Sequence, residues 1–372
     1  MTLRWIAKNL LEERAALAAS IGGVALSLVV VLLVGGMFAG ESERIVTYLE
    51  RAGADVWVMQ SGVSNMHMAT SLMRGEVVGA VKAVRGVASA TPILNVGAFL
   101  GSRGGARWYS YIIGVHSEER RGGPWAMVSG QALPGPGEAV IPDVLAKKAK
   151  LGIGSTINAL GRAFTIVGIS TDTYSMANSV TFVAYGDLAK LLSVRDGTAS
   201  YLLIEAAPGT SSADLAARIR SAVPDVNALT REAAVESDRR IAMQMGIGII
   251  GVMTWVGGLV AALVIALTTY TATIRRAREL AVVKALGFRQ RTLYLTVLVQ
   301  GGVIAALGYG VALAVAYAVR PLLGVSAPEV ALVYPPLSLL RLAATTALIA
   351  IAASCLSGRH VARVDPAIAF RE

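Results

Sequence analysis

Thirty-four consecutive residues, Ile241–Ile274, carry no charged side chain. A helix of that composition belongs in lipid, because a bilayer core of about 30 Å is crossed by roughly 20 apolar residues. Three further stretches meet the same requirement. Ala15–Gly40 and Thr292–Val319 are charge-free, and Leu337–Gly358 is interrupted only by Arg341 near one end, where the side chain can snorkel to the interface. Over all 372 residues 55% are hydrophobic and the mean hydropathy is +0.60, more apolar than a soluble domain tolerates. The expected class is an α-helical membrane protein with four transmembrane helices plus a large extracytoplasmic α/β domain.

The segment between the second and third spans sets the orientation. Arg275–Arg291 reads RRARELAVVKALGFRQR, with six Lys/Arg against one acidic residue, so it stays cytoplasmic by the positive-inside rule. The expected order follows from it. Residues 1–14 are cytoplasmic, 15–40 cross the membrane, 41–240 lie outside and 241–274 return. Residues 275–291 form a cytoplasmic helix, 292–319 cross, 320–336 make an outer loop, 337–358 cross again and 359–372 are a cytoplasmic tail. Both termini then face the cytoplasm, in a multi-pass protein of the cell (inner) membrane. The first span is too long for a signal peptide, and Met37-Phe38-Ala39 is a poor cleavage site, so a retained anchor is expected.

A formal net charge of +10 does not indicate nucleic acid. Residues 41–240 hold 20 basic and 18 acidic side chains, a net of +2, whereas 275–291 alone carries +5. The excess is topogenic. Cys355 is the only cysteine, so the outer domain holds together by its core and not by a disulfide.

The second span is longer than lipid requires. At 1.5 Å per residue its 34 residues reach about 51 Å. The preceding TREAAVESDRRIAMQ continues a helical pattern, with Glu232, Glu236 and Arg240 at helical spacing. A stalk projecting into the outer domain is expected, and a rigid rod of this kind can carry force.

The outer domain reads as a strand–helix–strand unit given twice. One copy is Ala54–Gln60, Ser71–Val84 and Val87–Ile93; the other is Tyr201–Ala206, Ser212–Val223 and Asn227–Thr230. A strand-rich insertion, 96–198, separates them. Small residues recur every fourth position at Ala19, Gly23 and Ser27, at Gly258, Ala262 and Ala266, and at Gly302, Ala306 and Gly310, continuing to Ala314 and Ala318. Such stripes suit either tight contacts inside one bundle or a seam between two copies. Met66, Met68 and Met73 cluster in VSNMHMATSLM, either as core filler or as a soft surface for a partner or substrate.

No GxxxxGK[ST] occurs, and no Gly-Lys pair exists, so this chain carries no P-loop. A GxGxxG, Gly246-Gly248-Gly251, sits inside an apolar span without a preceding strand and is read as fortuitous. His67, His116 and His360 are isolated, and His116-Ser117-Glu118-Glu119 is the nearest approach to ligand spacing. No catalytic, cofactor-binding or metal residues are expected, and no acid lies mid-span to drive proton coupling.

Three motifs together resemble one family. RRARELAVVKALG (Arg275–Gly287) resembles the "RRREIAVLRALG" element of FtsX-like and MacB-type ABC-transporter permeases. GEAVIPDVLAKKAKLGIGSTI (Gly137–Ile157) is similar to a turn in that family's outer domain, and DPAIAFR (Asp365–Arg371) to its closing motif. The resemblance covers essentially the whole chain, with 275–358 as the FtsX-like permease core. It implies a MacB-type periplasmic core with Porter and Sabre parts, a homodimer, and two copies of a separate cytoplasmic ATPase that binds ATP and Mg. It also implies mechanotransmission, with an amphipathic substrate exported or extracted and an extracytoplasmic adaptor as a further partner. The alternative within the family is a signal transducer that activates a cell-wall hydrolase. Outside it lies a structural membrane protein without an ATPase.

On this reading 275–287 is a coupling helix. Leu280, Val283, Ala285 and Leu286 present an apolar face to an ATPase groove. Arg275, Arg276, Arg278, Glu279 and Lys284 orient it electrostatically, and Gly287 ends it.

Overall fold

The computed structural model describes residues 14–102, 105, 107–175, 179–275 and 290–362. The chain divides into two compact units. One contains the apolar helices: the chain up to Gly40, Gly246–Ser326, and the chain from Leu332. The other is Glu41–Met245 with the short stretch Ala327–Ala331.

Among the described residues, four long helices build the first unit. They are α1 (Arg14–Arg44), α7 (Arg231–Arg275), α8 (Gln290–Ser326) and α9 (Pro336–Ala362). Three of them, α1, α8 and α9, are long and apolar enough to cross a membrane among the described residues. In α7 the stretch that meets that apolar criterion is the shorter Trp255–Val264. The helix itself is unbroken over 45 residues, about 67 Å, so the stalk expected from the charge pattern is one continuous helix with its span. The α8 helix also outruns its expected end at Val319, continuing through Pro321 to Ser326. A proline there removes one backbone donor but leaves the last turn in place.

The packed face of α8 is not the stripe its spacing suggests. Gly301, Ala305, Gly308, Ala312 and Ala316 are buried, whereas Gly302, Ala306, Gly310, Ala314 and Ala318 are all exposed. A Cβ on Gly308 would lie 2.7 Å from Val24 of α1, and one on Gly301 would run into the Ser354 hydroxyl of α9. Gly302 and Gly310 have nothing within 4 Å. Two small-residue rows run side by side on this helix, and the row that receives Val24 and Ser354 is the one that packs. In α7, Gly258 approaches Ile349 at 3.4 Å and Ala262 is half-buried, while the side chain of Ala266 lies outside the described residues. We expect Gly308→Leu to destabilise this unit by about 1–3 kcal/mol through overpacking. Gly310→Leu should leave the midpoint of thermal unfolding of the detergent-solubilised monomer unchanged; equal losses for the two variants would refute the assignment.

The second unit contains two sheets joined by one strand. The doubled strand–helix–strand reading holds: β1 (Val56–Gln60), α3 (Gly75–Lys82) and β2 (Val87–Ser102) form one copy. The other is β9 (Tyr201–Ala206), α6 (Ser212–Ala222) and β10 (Val226–Thr230). They interleave in the order β10-β1-β9-β2, with β1 antiparallel to both its neighbours, the split-βαβ arrangement. Side chains of β1 are buried on both faces. Val56 and Val58 meet α3 and α6 through Val78, Val81, Leu215 and Ile219. Trp57 and Met59 face Tyr48 and Leu49 of α2 (Thr47–Arg51) and Ala234 and Val235 of α7.

The expected strand Val87–Ile93 does not stop before the insertion: β2 is one strand of 16 residues that leaves the first sheet for a second. Val87–Ile93 pairs with β9, and Leu94–Gly101 pairs with β3 (Arg107–Val115). The insertion then closes on itself. It comprises β5 (Glu138–Pro142), β6 (Thr156–Ala159), β7 (Arg162–Ser170) and β8 (Val180–Ala184). Pairing runs β2-β3-β8-β5-β7, and β6 bridges β7 back to β2, completing a small barrel. Leu100, Ile112, Ile141, Ile157 and Phe164 fill it. Helices α4 (Asp143–Ala149) and α5 (Tyr185–Leu191) contribute Leu145 and Leu188 to the same core. An edge strand, β4 (Met127–Gly130), pairs only with β7.

Candidate functional site

Arg275 is the last residue of α7, while Arg276, Arg278, Glu279, Leu280, Val283, Lys284, Ala285, Leu286 and Gly287 lie outside the described residues. Gly246, Gly248 and Gly251 sit within the continuous helix α7, a context unlike a dinucleotide-binding turn. Among the described residues no group of three His, Cys, Asp or Glu side chains could hold a metal ion. His116 is not a solvated loop residue: its ring stacks on Tyr185 at 4.4 Å, and burial lowers its pKa.

The methionine loop divides sharply. Met66 and Met73 are 3% and 2% exposed and belong to the core, so they offer no surface. Met73 is held by paired backbone hydrogen bonds to Ala199, which turn its side chain inward toward Val56 and Val78. Met68, at 60% exposure, and Leu72 are the apolar groups this loop presents to solvent.

What holds the loop is a side chain that sequence reasoning missed. Asp238 lies on α7 at 2% exposure, four residues after Ala234 and three after Val235, on the face turned to the core. Its Oδ1 accepts the Met66 N–H at 2.9 Å, and its Oδ2 lies 2.8 Å from His67 Nδ1. Both carboxylate oxygens act as acceptors, so Nδ1 carries the proton in this contact. Breaking such a buried pair from one side typically costs about 3–5 kcal/mol, because a charge is left without compensation. The opposite face of α7 carries Glu236 and Arg240, exposed and 3.9 Å apart, as the helical spacing predicts. The available signal for Asp238 was its phase: an acid on the apolar face of an otherwise amphipathic helix.

From this pair a run of rings leads along the barrel wall. Tyr111 donates to the His67 carbonyl at 2.8 Å and meets the His67 ring edge-to-face at 5.2 Å. Burial first, and then the neighbouring Tyr109, hold the Tyr111 phenol above its usual range, so it remains a donor at neutral pH. Tyr109 follows at 5.6 Å, and Phe99, directly opposite it in the β2–β3 register, at 5.6 Å again. The Arg107 guanidinium lies 5.2 Å from the centre of the Phe99 ring. Phe99 and Tyr109 are exposed apolar groups.

The stretch between α8 and α9 is tied into the same unit. Lys148 Nζ reaches Glu329 Oε1 at 3.1 Å, and Arg44 donates to the carbonyls of Pro328 and Glu329 at 3.2 and 3.3 Å. The Glu329 carboxyl is held below its usual range by its own backbone N–H and then by Lys148, and the Lys148 amine is raised by Glu329. A lowered acid contributes stability above its unpaired pKa and loses it as pH falls through the lowered value, so this contact should persist at neutral pH and fail in acid. Both side chains are partly exposed, so Lys148→Ala should cost no more than about 1 kcal/mol. Its signature should be faster hydrogen exchange at 327–331; unchanged exchange there would refute the contact.

Comparison with known proteins covers both halves of the chain. Residues 17–222 match the family described as MacB-like periplasmic core domain, and residues 251–366 match the FtsX-like permease C-terminal family. An uncharacterized ABC transporter permease of Mycobacterium bovis is 24% identical over 347 residues, 93% of this chain and 91% of its own length. Another from Mycobacterium tuberculosis is 25% identical over 328 residues, 87% and 86% of the two chains. Among solved structures, the periplasmic region of MacB from Actinobacillus actinomycetemcomitans aligns at 12% identity and a TM-score of 0.38, over 50% of this chain and 92% of its own. The extracellular domain of the ABC-type transporter YknZ from Gram-positive bacteria aligns at 12% and 0.37, over 48% and 99%.

Proposed function

This chain belongs to the family of ABC-transporter permeases that carry a MacB-like periplasmic core domain and an FtsX-like C-terminal part, and from that premise we propose that it converts ATP hydrolysis by a separate ATPase subunit into motion of its outer domain. The observation that carries this reading is α7, one helix from the outer unit at Arg231 to Arg275 beside the basic segment. The proposed assembly is a homodimer with two ATPase copies bound at 275–287 in the cytoplasm. Four helices cross the inner membrane, with α7 as the second, and both termini are cytoplasmic. Hydrolysis moves the coupling segment, and the stiff helix passes that movement outward. An amphipathic substrate is then exported or extracted at the outer face without threading through the spans.

The exposed row Gly302, Ala306 and Gly310 supports a seam between two copies, because it leaves a flat helix face with no partner among the described residues. Two tests are direct. Affinity capture of the detergent-solubilised chain from its own cell membranes should bring down a P-loop ATPase in stoichiometric amount; its absence would sink the reading. A cysteine at Ala306 in a Cys355→Ser background should cross-link to its counterpart, and a purely monomeric product would refute the seam.

A further inference from the structure

We infer that the Asp238–His67 pair is the clutch through which α7 drives the 61–74 loop and, by way of Tyr111, the exposed rings Tyr109 and Phe99. The inference rests on the force-transmitting reading above and names the residues that act in the outer unit.

The contacts of α7 differ in whether they can transmit movement. Ala234 and Val235 touch the core through apolar surface, which is non-directional and lets a helix slide or turn against its neighbours. Arg239 meets Glu50 at 3.5 Å in an exposed pair that water can replace. Asp238 differs in kind. It is buried, and it grips two consecutive residues of one loop, through the Met66 amide and the His67 ring. A rotation or axial shift of α7 must either carry Met66 and His67 along or strand a carboxylate out of water, so the loop follows the helix.

The loop is built to move as a piece. Asn227 donates to the Val63 carbonyl at 2.8 Å, and the Gln60 amide donates to the Ser71 hydroxyl at 2.9 Å, so its two ends are fastened. Met68, between these points, and Leu72, just beyond Ser71, are exposed. His67 also joins the loop to the barrel, because its carbonyl takes the Tyr111 hydroxyl and its ring abuts the Tyr111 ring. From Asp238 to Arg275 is 37 residues of uninterrupted helix, about 56 Å along the axis, so the clutch and the basic segment share one helix. Asp238 and His67 are therefore positioning residues, and the groups they position are the exposed Met68, Leu72, Tyr109 and Phe99.

Hydrogen exchange on the full-length protein in lipid nanodiscs with its ATPase tests this. In the wild type, amides of 61–74 should exchange at rates differing at least about fivefold between the nucleotide-free and ATP-trapped states. In Asp238→Ala and in His67→Leu that ratio should fall to about one, with ATP hydrolysis still proceeding and exchange in the distant β4–β7 pair unchanged. His67→Asn, whose amide nitrogen can stand where Nδ1 does, should restore the ratio, which a merely structural role would not require. Arg240→Ala, on the exposed face of the same helix, should leave it intact. Persistence of the nucleotide dependence in Asp238→Ala, or its absence from the wild type while ATP is being turned over, would overturn the clutch. If no ATPase associates, the functional reading fails first. The isolated chain then decides: Asp238→Ala must speed exchange of the Met66 amide at least about tenfold, and an unchanged rate refutes the pair's hold on the loop.

Discussion

Reversing the two charges of the coupling segment, Glu279→Lys together with Lys284→Glu, should release the ATPase from the membrane subunit. Each charge sits within a short basic helix pattern beside Leu280, Val283 and Leu286, and an interfacial charge that loses its partner typically costs about 2–5 kcal/mol. Two such losses amount to well over a hundredfold in affinity. ATPase recovered by affinity capture should therefore drop to background, while the permease still inserts and its outer domain keeps its unfolding midpoint. Each single reversal should show an intermediate loss. Stoichiometric ATPase on the double variant would place the docking elsewhere.

The largest effect on stability is expected at Trp57. Its indole is fully buried in the face of the first sheet that meets α2 and α7, edge-on to Tyr48 at 6.0 Å and to Tyr201 at 6.1 Å. Trp57→Ala removes a large apolar side chain from a core that cannot collapse around it, since Tyr48 is pinned by its hydroxyl to the Gly122 carbonyl at 2.8 Å. A loss of about 3–5 kcal/mol follows. Denaturant unfolding monitored by outer-domain fluorescence should register it, and a loss below about 1 kcal/mol would mean that this face of the sheet is not a tight core.

These two predictions draw on different information. The coupling reading of 275–291 rests on the sequence alone, on the rule that charge in a membrane protein is sorted by a boundary. Six basic residues between two apolar runs declare a side of the bilayer whatever the chain does in three dimensions. The repeated strand–helix–strand units were legible as short apolar, β-prone runs, Val56–Met59 and Tyr201–Ile204, each followed by a helical stretch. The length of α7 followed from an apolar run with an amphipathic run in phase before it.

Where two readings stayed open in the sequence, the two local solutions looked alike. On α8 the rows Gly301/Ala305/Gly308 and Gly302/Ala306/Gly310 are both small, and only the arrival of Val24 and Ser354 distinguishes the packed one. Met66 and Met68 are two residues apart with the same chemistry, yet the Met66 amide is taken by Asp238 and its side chain drawn inward, while Met68 is left outside. The closure of the barrel depends on β6 reaching β2 at Leu100–Ser102, a pairing between residues more than fifty positions apart.

Membrane class and the α/β character of 41–240 thus follow from charge and periodicity, which are one-dimensional properties of a chain in a layered solvent. The grip of Asp238 on Met66 and His67, the packed row of α8 and the ring of six strands came from the fold alone. Each depends on which distant side chain arrives opposite, and neither composition nor spacing along the chain encodes that meeting.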